Sequence, residues 1–388
     1  MSVVPMQQSK SLVPGGILAI TAECRRRRAL GESIIDLSLG EPDFDTPPHI
    51  CEAAMRALEE GGTRYTPPAG LPQLRQMIVR SLGAEGLRFA PREVMVTCGA
   101  TGAIWCALQA LLHDGDEVIL PAPYYPQYLS PIAMAGARTV IVQTHAADGF
   151  KLDPDALRAA ITSRSRLLIL NAPSNPAGVV YDLTELTAIA AVAREHALTI
   201  LSDEVYSAFT FGKPFVSMAA VAPERTLVVR SVSKTYAMTG WRIGFAAGPS
   251  SLIADMTAVQ ESCIVTPATL SQWAAVEALR GSQDCVVTMH DEFARRRELV
   301  SSKLRAISGV HLAESDGGMF VFPDLSARAG DVDAFCARLL REHGVAVVPG
   351  SEFGAPGCIR ISLGTGPADL ATGIDRLAAA LPDEGSWN

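Results

Sequence analysis

The sequence predicts an α/β protein: a large domain with a mainly parallel, seven-stranded sheet flanked by helices, and a smaller α+β domain. Three observations carry this. Short apolar runs alternate with helical patterns through the middle of the chain, the rhythm of strand–helix–strand units. Several of those runs are continuously apolar, as expected of strands covered by helices on both faces. Beyond about residue 280 the pattern changes to a long charged helix and short strands, which reads as a separate, smaller unit. A length of 388 residues agrees with two domains, because single cores rarely grow that large.

Taken in order, strands are expected at 94–97, 117–120, 139–142, 166–170, 199–201, 226–230 and 243–247. Between them, helical spacing predicts helices at 102–112, 184–196 and from 252–257 onward. The C-terminal part predicts a charged helix at 291–306, strands near 318–322, 345–348 and 358–363, and a helix around 332–343. No internal repeat or low-complexity segment interrupts this series.

Composition narrows the function classes. Hydrophobic residues at 48% and charged residues at 19% describe a soluble globular chain able to bury a large core. A formal net charge of -8, with the basic residues spread along the chain, argues against a nucleic-acid reader. No run approaches the roughly 20 apolar residues a membrane helix needs. The N-terminus lacks a secretion-signal pattern, so the expected location is cytoplasmic. The eight cysteines form no CxxC pair and read as free thiols in a reducing compartment; no metal site is supported. The basic run Arg25, Arg26, Arg27 and Arg28 reads as a solvated helix end, where cations suit the helix dipole.

Ligands of open α/β sheets gather at the carboxyl ends of the strands, so the residues just past each strand matter most. Four polar clusters stand there: Cys-Gly-Ala-Thr-Gly at 98–102, Asn-Ala-Pro-Ser-Asn-Pro-Ala-Gly at 171–178, Ser-Asp-Glu-Val-Tyr at 202–206 and Ser-Val-Ser-Lys at 231–234. The turn containing Gly99, Ala100 and Thr101 opens a helix, whose N-terminus suits an anion. Ser231, Ser233 and Arg242 add hydroxyls and a guanidinium for a phosphate-sized group. By itself the turn is also an ordinary strand-to-helix connection. Lys234 follows an apolar strand, where desolvation favours the neutral amine that attacks a carbonyl. Asp203 also ends an apolar strand; a carboxylate there wants a cation, whether from a ligand or from a structural ion pair. Arg360 alternates with Ile359 and Ile361; it reads equally as a fork for a carboxylate or as a solvated edge residue.

Together the motifs resemble the class I aminotransferases, the aspartate aminotransferase family of fold type I. The segment 231–244 (Ser-Val-Ser-Lys-Thr-Tyr-Ala-Met-Thr-Gly-Trp-Arg-Ile-Gly) looks like that family's lysine signature. Gly-Glu-Pro-Asp-Phe at 40–44, Tyr-Thr-Pro-Pro-Ala-Gly at 65–70 and Arg-Ile-Ser at 360–362 follow the family order, and the likeness runs from about 12 to about 380. The resemblance implies domains at 40–280 and at 1–39 with 281–388, and pyridoxal 5'-phosphate as cofactor. Lys234 would carry it as a Schiff base, Asp203 would hold its ring nitrogen protonated, and Asn175 and Tyr206 would meet its phenolic oxygen. Gly99, Ala100, Thr101, Ser231, Ser233 and Arg242 would hold the phosphate, and Tyr125 would stack on the ring, where many relatives carry Trp. Arg360, Gly40 and Asn175 would bind the substrate carboxylate. Tyr65 would reach a neighbouring subunit's phosphate, which implies a homodimer with shared sites.

The activity implied is amino transfer from an L-amino acid to a 2-oxo acid by a ping-pong route, with Lys234 moving the Cα proton. Aspartate is the first expected donor, then aromatic amino acids, then alanine. Arg64 is a candidate for the side-chain carboxylate across the dimer, whereas Ile17 and Phe353 suit an apolar side chain. Elimination, decarboxylation or racemisation on the same scaffold is the alternative. The pattern Ser231 to Lys234 also fits SxxK of serine hydrolases, but its SDN and KTG partners are broken by Glu204 and Tyr236.

Overall fold

The computed structural model describes residues 16–382. At its centre lies a seven-stranded sheet: β1 Val94–Thr97, β2 Glu117–Ala122, β3 Arg138–Gln143, β4 Ser165–Asn171, β5 Thr199–Asp203, β6 Thr226–Ser231 and β7 Gly244–Ala247. Their spatial order is β1-β7-β6-β5-β4-β2-β3. Strand β7 runs antiparallel to β1 and β6, and the remaining pairs are parallel. This single reversal brings the start of β7, just after Arg242, to the edge where β1, β4, β5 and β6 end.

The continuous apolar runs have the predicted cause: both faces of the sheet are covered. Leu167 and Ile169 of β4 pack with the helices Gly99–Leu111 and Ser250–Ile264. Leu168 and Leu170, pointing the other way, pack with the helix Leu183–Glu195. Successive strand residues face opposite sides, so each needs its own apolar cover.

Differences from expectation lie at element ends, in the C-terminal part and in two helices ahead of the sheet. The helix expected at 102–112 starts at Gly99. The one expected at 291–306 spans Asp284–Arg305, and Thr269–Arg280 forms a further helix. Two helices before the sheet, Pro48–Glu59 and Pro72–Ala84, each open on a proline, which needs no intrahelical N–H partner there. The single strand expected at 345–348 is two short strands with different partners. Val345–Ala346 pairs in parallel with Ile35–Asp36, and Val348–Pro349 pairs with Ile359–Ser362. Ile359–Ser362 is the middle strand of a three-stranded antiparallel sheet, with Phe320–Val321 on its other side. A core of Leu37, Phe293, Leu304, Phe335, Ile361 and Leu377 joins this sheet to the flanking helices.

The basic run closes the helix Gly16–Ala29. Arg25 and Arg26 are exposed, but Arg27 departs from the solvated reading: it donates to the carbonyls of Leu340 at 2.5 Å and Arg341 at 3.2 Å. All eight cysteines are free. Among the described residues no cluster could hold a metal ion, and no helix is long and apolar enough to cross a membrane.

Candidate active site

A cavity of about 330 Å3 opens at the carboxyl edge of the sheet. Its wall includes Ala100 and Thr101 after β1, Asn171 and Asn175 after β4, Asp203 and Tyr206 after β5, Ser231, Ser233 and Lys234 after β6, and Arg242 before β7. Ile17, Gly40 and Arg360 close it from the other side. One cavity therefore unites residues up to 343 positions apart, from Ile17 to Arg360.

The anion end is built from helix geometry. Gly99 has φ +72°, and a Cβ there would lie 2.5 Å from Arg242 Nη2, so a larger residue would displace the guanidinium. The helix that begins here presents unpaired first-turn amides beside Ala100 and Thr101. Arg242 is itself left-handed at φ +55°, an uncommon conformation for a non-glycine residue. Its Nη1 donates to the Thr239 carbonyl at 2.8 Å. Ser231 Oγ lies 2.7 Å from Ser233 Oγ and 2.8 Å from the Ile243 carbonyl.

Lys234 sits between this end and Gly40, whose carbonyl accepts from Nζ at 2.5 Å. Burial lowers the ammonium pKa to about 8; Glu41 opposes this, and Arg360 and Arg242 assist it. Asp203 is 4% exposed, and burial raises its carboxyl to about 6. Its partners are neutral: the Tyr128 hydroxyl donates at 2.6 Å and the Val205 amide at 3.3 Å. Among the described residues no guanidinium or ammonium pairs with it. A buried carboxylate whose two oxygens have only neutral donors fits a cationic ring nitrogen supplied by a ligand.

Arg360 is 1% exposed, which excludes the solvated-edge reading. It lies on the middle strand of the small sheet, over the Phe320 and Phe353 rings at 4.4 and 5.1 Å. Nη1 donates to Asn175 Oδ1 at 3.0 Å and Nη2 to the Ser38 carbonyl at 2.5 Å, while Nε has no partner. A buried arginine with an idle donor fits an incoming carboxylate. Burial pulls its pKa down to about 10, still far above neutrality. Tyr125 lines the cavity with its hydroxyl raised to about 12 by burial, and the buried Tyr206 hydroxyl is raised as well.

Phe353 departs from expectation, whereas Arg64 and Tyr65 are expected to serve a neighbouring subunit's site. Phe353 is fully buried beneath Arg360 and does not line the cavity. Arg64 and Tyr65 are outside the cavity, with Tyr65 85% exposed. The lining residues that the sequence does not single out include Tyr128, Gln127, Leu39, Leu18 and Ile104. Tyr128 is the consequential one, and only its place three residues after Tyr125 in a short helical turn hints at it.

The family described as aminotransferase class I and II matches residues 32–377. The aspartate aminotransferase of Geobacillus stearothermophilus is 41% identical over 377 residues, covering 95% of this chain and 96% of that one. The aspartate/prephenate aminotransferase of Thermus thermophilus is 40% identical, covering 96% and 97%. The solved structure of Thermus thermophilus aspartate aminotransferase with maleate superposes with a TM-score of 0.92 at 39% identity, covering 97% of this chain and 100% of that chain.

Proposed function

The chain belongs to the class I and II aminotransferases, which use pyridoxal phosphate, and from that premise we propose that it transfers the amino group of L-aspartate to a 2-oxo acid such as 2-oxoglutarate. The observation that carries this is Lys234, its ammonium pKa lowered to about 8, in one cavity with a cation-free Asp203 and a half-satisfied Arg360. When bound, pyridoxal phosphate supplies the electron sink that accepts the electron pair of the Cα–H bond. Asp203 would keep its ring nitrogen protonated, and Asn175 and Tyr206 would hydrogen-bond its phenolic oxygen. The turn at Gly99, Ala100 and Thr101, with Ser231, Ser233 and Arg242, would hold its phosphate, and Tyr125 would pack on its ring. Arg360, assisted by Asn175 and Gly40, would fix the substrate carboxylate. Lys234 Nζ, once displaced, would take the Cα proton and return it one carbon along, acting as base and then as acid.

Tyr65 and Arg64 are proposed to serve the site of a second copy, in a homodimer; the exposed Tyr65 ring supports this. Residues before 40 and after 280 are read as one domain and 40–280 as the other, supported by the pairing of Ile35–Asp36 with Val345–Ala346. The free thiols support a cytoplasmic location.

One observation favours a second donor class. Ile17, Leu18 and Leu39 line the cavity, and the only cations among its described lining residues are Lys234, Arg242 and Arg360. An aromatic donor suits such walls, and a relative named aspartate/prephenate aminotransferase accords with a pocket of mixed taste. The deciding experiment is the visible absorbance of the cofactor-loaded protein before and after L-aspartate, then phenylalanine and alanine. A band that shifts to the pyridoxamine form supports transamination and ranks the donors. A band indifferent to every amino acid sinks the proposal. Lys234→Ala should abolish turnover with the fold intact, and Arg64→Ala should raise the aspartate KM if Arg64 reads the second carboxylate.

A further inference from the structure

We propose that Arg296, which does not line the cavity, is a positioning residue that sets the substrate-carboxylate wall; this rests on the reading of Arg360 given above. Arg296 lies on the helix Asp284–Arg305 and is 5% exposed. Its Nη1 donates to Asp43 Oδ1 at 2.6 Å and to the Leu363 carbonyl at 3.0 Å, and its Nε donates to Glu292 Oε1 at 2.9 Å. The guanidinium also lies 5.3 Å from the Phe44 ring centre and 5.7 Å from that of Phe293. Three segments thus meet on one side chain: a long helix, the 40–44 loop and the turn after the Arg360 strand.

Two of those segments carry the wall itself. The loop supplies the Gly40 carbonyl beside Lys234, and Ser38, just before it, supplies the carbonyl that holds Arg360 Nη2. Glu41 accepts from the Thr239 hydroxyl, next to the Arg242 contact. The Ser362 amide donates to the Leu37 carbonyl at 2.8 Å. At Gly364 a Cβ would stand 2.0 Å from the Glu41 carbonyl oxygen, so loop and turn touch backbone to backbone. The loop cannot shift without moving the strand that carries Arg360.

Charge makes Arg296 the joint. It faces two carboxylates, Asp43 and Glu292, whose side chains are 31% and 16% exposed. Arg295 shares Glu292 at 2.9 Å. Without Arg296, Asp43 loses its only ion pair among the described residues and the Leu363 carbonyl loses its donor. Asp43 is already partly exposed, and a carboxylate released from its partner there turns further toward water, drawing Gly40 and Ser38 with it.

The defect should fall on carboxylate binding rather than proton transfer. Amino acid and 2-oxo acid present the same carboxylate, so both KM values should move together while kcat holds. The test is steady-state kinetics of cofactor-loaded holoenzymes with L-aspartate and 2-oxoglutarate, for wild type, Arg296→Ala, Arg296→Lys, Asp43→Ala and the Arg296→Ala/Asp43→Ala double variant. A wild type that does not transaminate refutes the functional reading itself, before any variant is compared. With an active wild type, Arg296→Ala should raise both KM values roughly tenfold, in the range of mutations that act through a packed network, with kcat within about threefold. Arg296→Lys should recover part of the loss, and the double variant should be no worse than Arg296→Ala. If Arg296→Ala does not fold, Arg296→Lys and Asp43→Ala carry the same expectation. Unchanged KM values, a rise for one substrate only, or additive effects in the double variant would overturn the proposal.

Discussion

Two neighbouring carboxylates at the end of β5 have opposite surroundings. Asp203 faces the cavity, 4% exposed, with a tyrosine hydroxyl and one amide as partners. Glu204 faces the other side, 1% exposed, and is saturated: Ser202 and Ser217 donate to one oxygen at 2.8 and 2.7 Å, and Arg230 donates to the other at 3.0 Å. Arg230 also forks onto Glu85 at 2.7 and 2.8 Å. A cleft of about 640 Å3, larger than the cavity at the sheet's carboxyl edge, borders this second network. Size alone would choose it as the site. The chemistry chooses otherwise, because every charge there already has its partner, whereas Asp203 and Arg360 keep unused capacity. Unfinished electrostatics, rather than volume, distinguishes a site from a hollow.

The contrast can be broken by mutation, and the largest effect should come from the saturated side. Arg230→Ala strands Glu204 and should cost about 3–5 kcal/mol of stability in denaturant unfolding, with the folded fraction keeping most of its activity. On the cavity side, Asp203→Asn should lower kcat about 100- to 1,000-fold, as expected when one preorganised charge is lost, without destabilising the fold.

The same substitution sharpens the comparison through pH. Burial raises the folded-state pKa of Asp203 to about 6, above its unfolded value, so the protonated form stabilises the cofactor-free protein. That contribution is fully present below the unfolded pKa and is lost as pH rises through about 6. Cofactor-free Asp203→Asn should therefore be more stable than wild type at pH 7.5, by on the order of 2–3 kcal/mol, and equal to it near pH 3.5. Equal stability at both pH values would mean that Asp203 is not held in a costly state. The smallest effect is expected from Tyr128→Phe. It removes the hydroxyl from Asp203 and should cost the cofactor-free protein about 1.5 kcal/mol at neutral pH, since water entering the cavity replaces part of the bond.

Much of this is legible in the sequence alone. The β4, β5 and β6 strands show as apolar runs because helices cover both faces, and the residues just past them supply Asn175, Asp203 and Lys234 to one cavity. Helix starts were less legible: Gly99 belongs to the helix it opens, while its sequence reads as a turn. Tyr128 was missed because its contact with Asp203 spans 75 residues and follows no period. Phe353 reads as a pocket wall in the sequence because aromatic character says nothing about which side of Arg360 a ring occupies.

The sequence by itself therefore determined the strands of the sheet and the polar rim that follows them. These follow from local rules: strand periodicity, burial of apolar runs and the chemistry of the residues after each strand. Only the tertiary structure decided that Arg360 is buried with an idle nitrogen, that Asp203 lacks a cation while adjacent Glu204 has one, and that Arg296 ties Asp43 to Leu363. Desolvation and pairing depend on what other segments bring within a few ångströms, and residues 253 positions apart, such as Asp43 and Arg296, leave no local trace of that meeting.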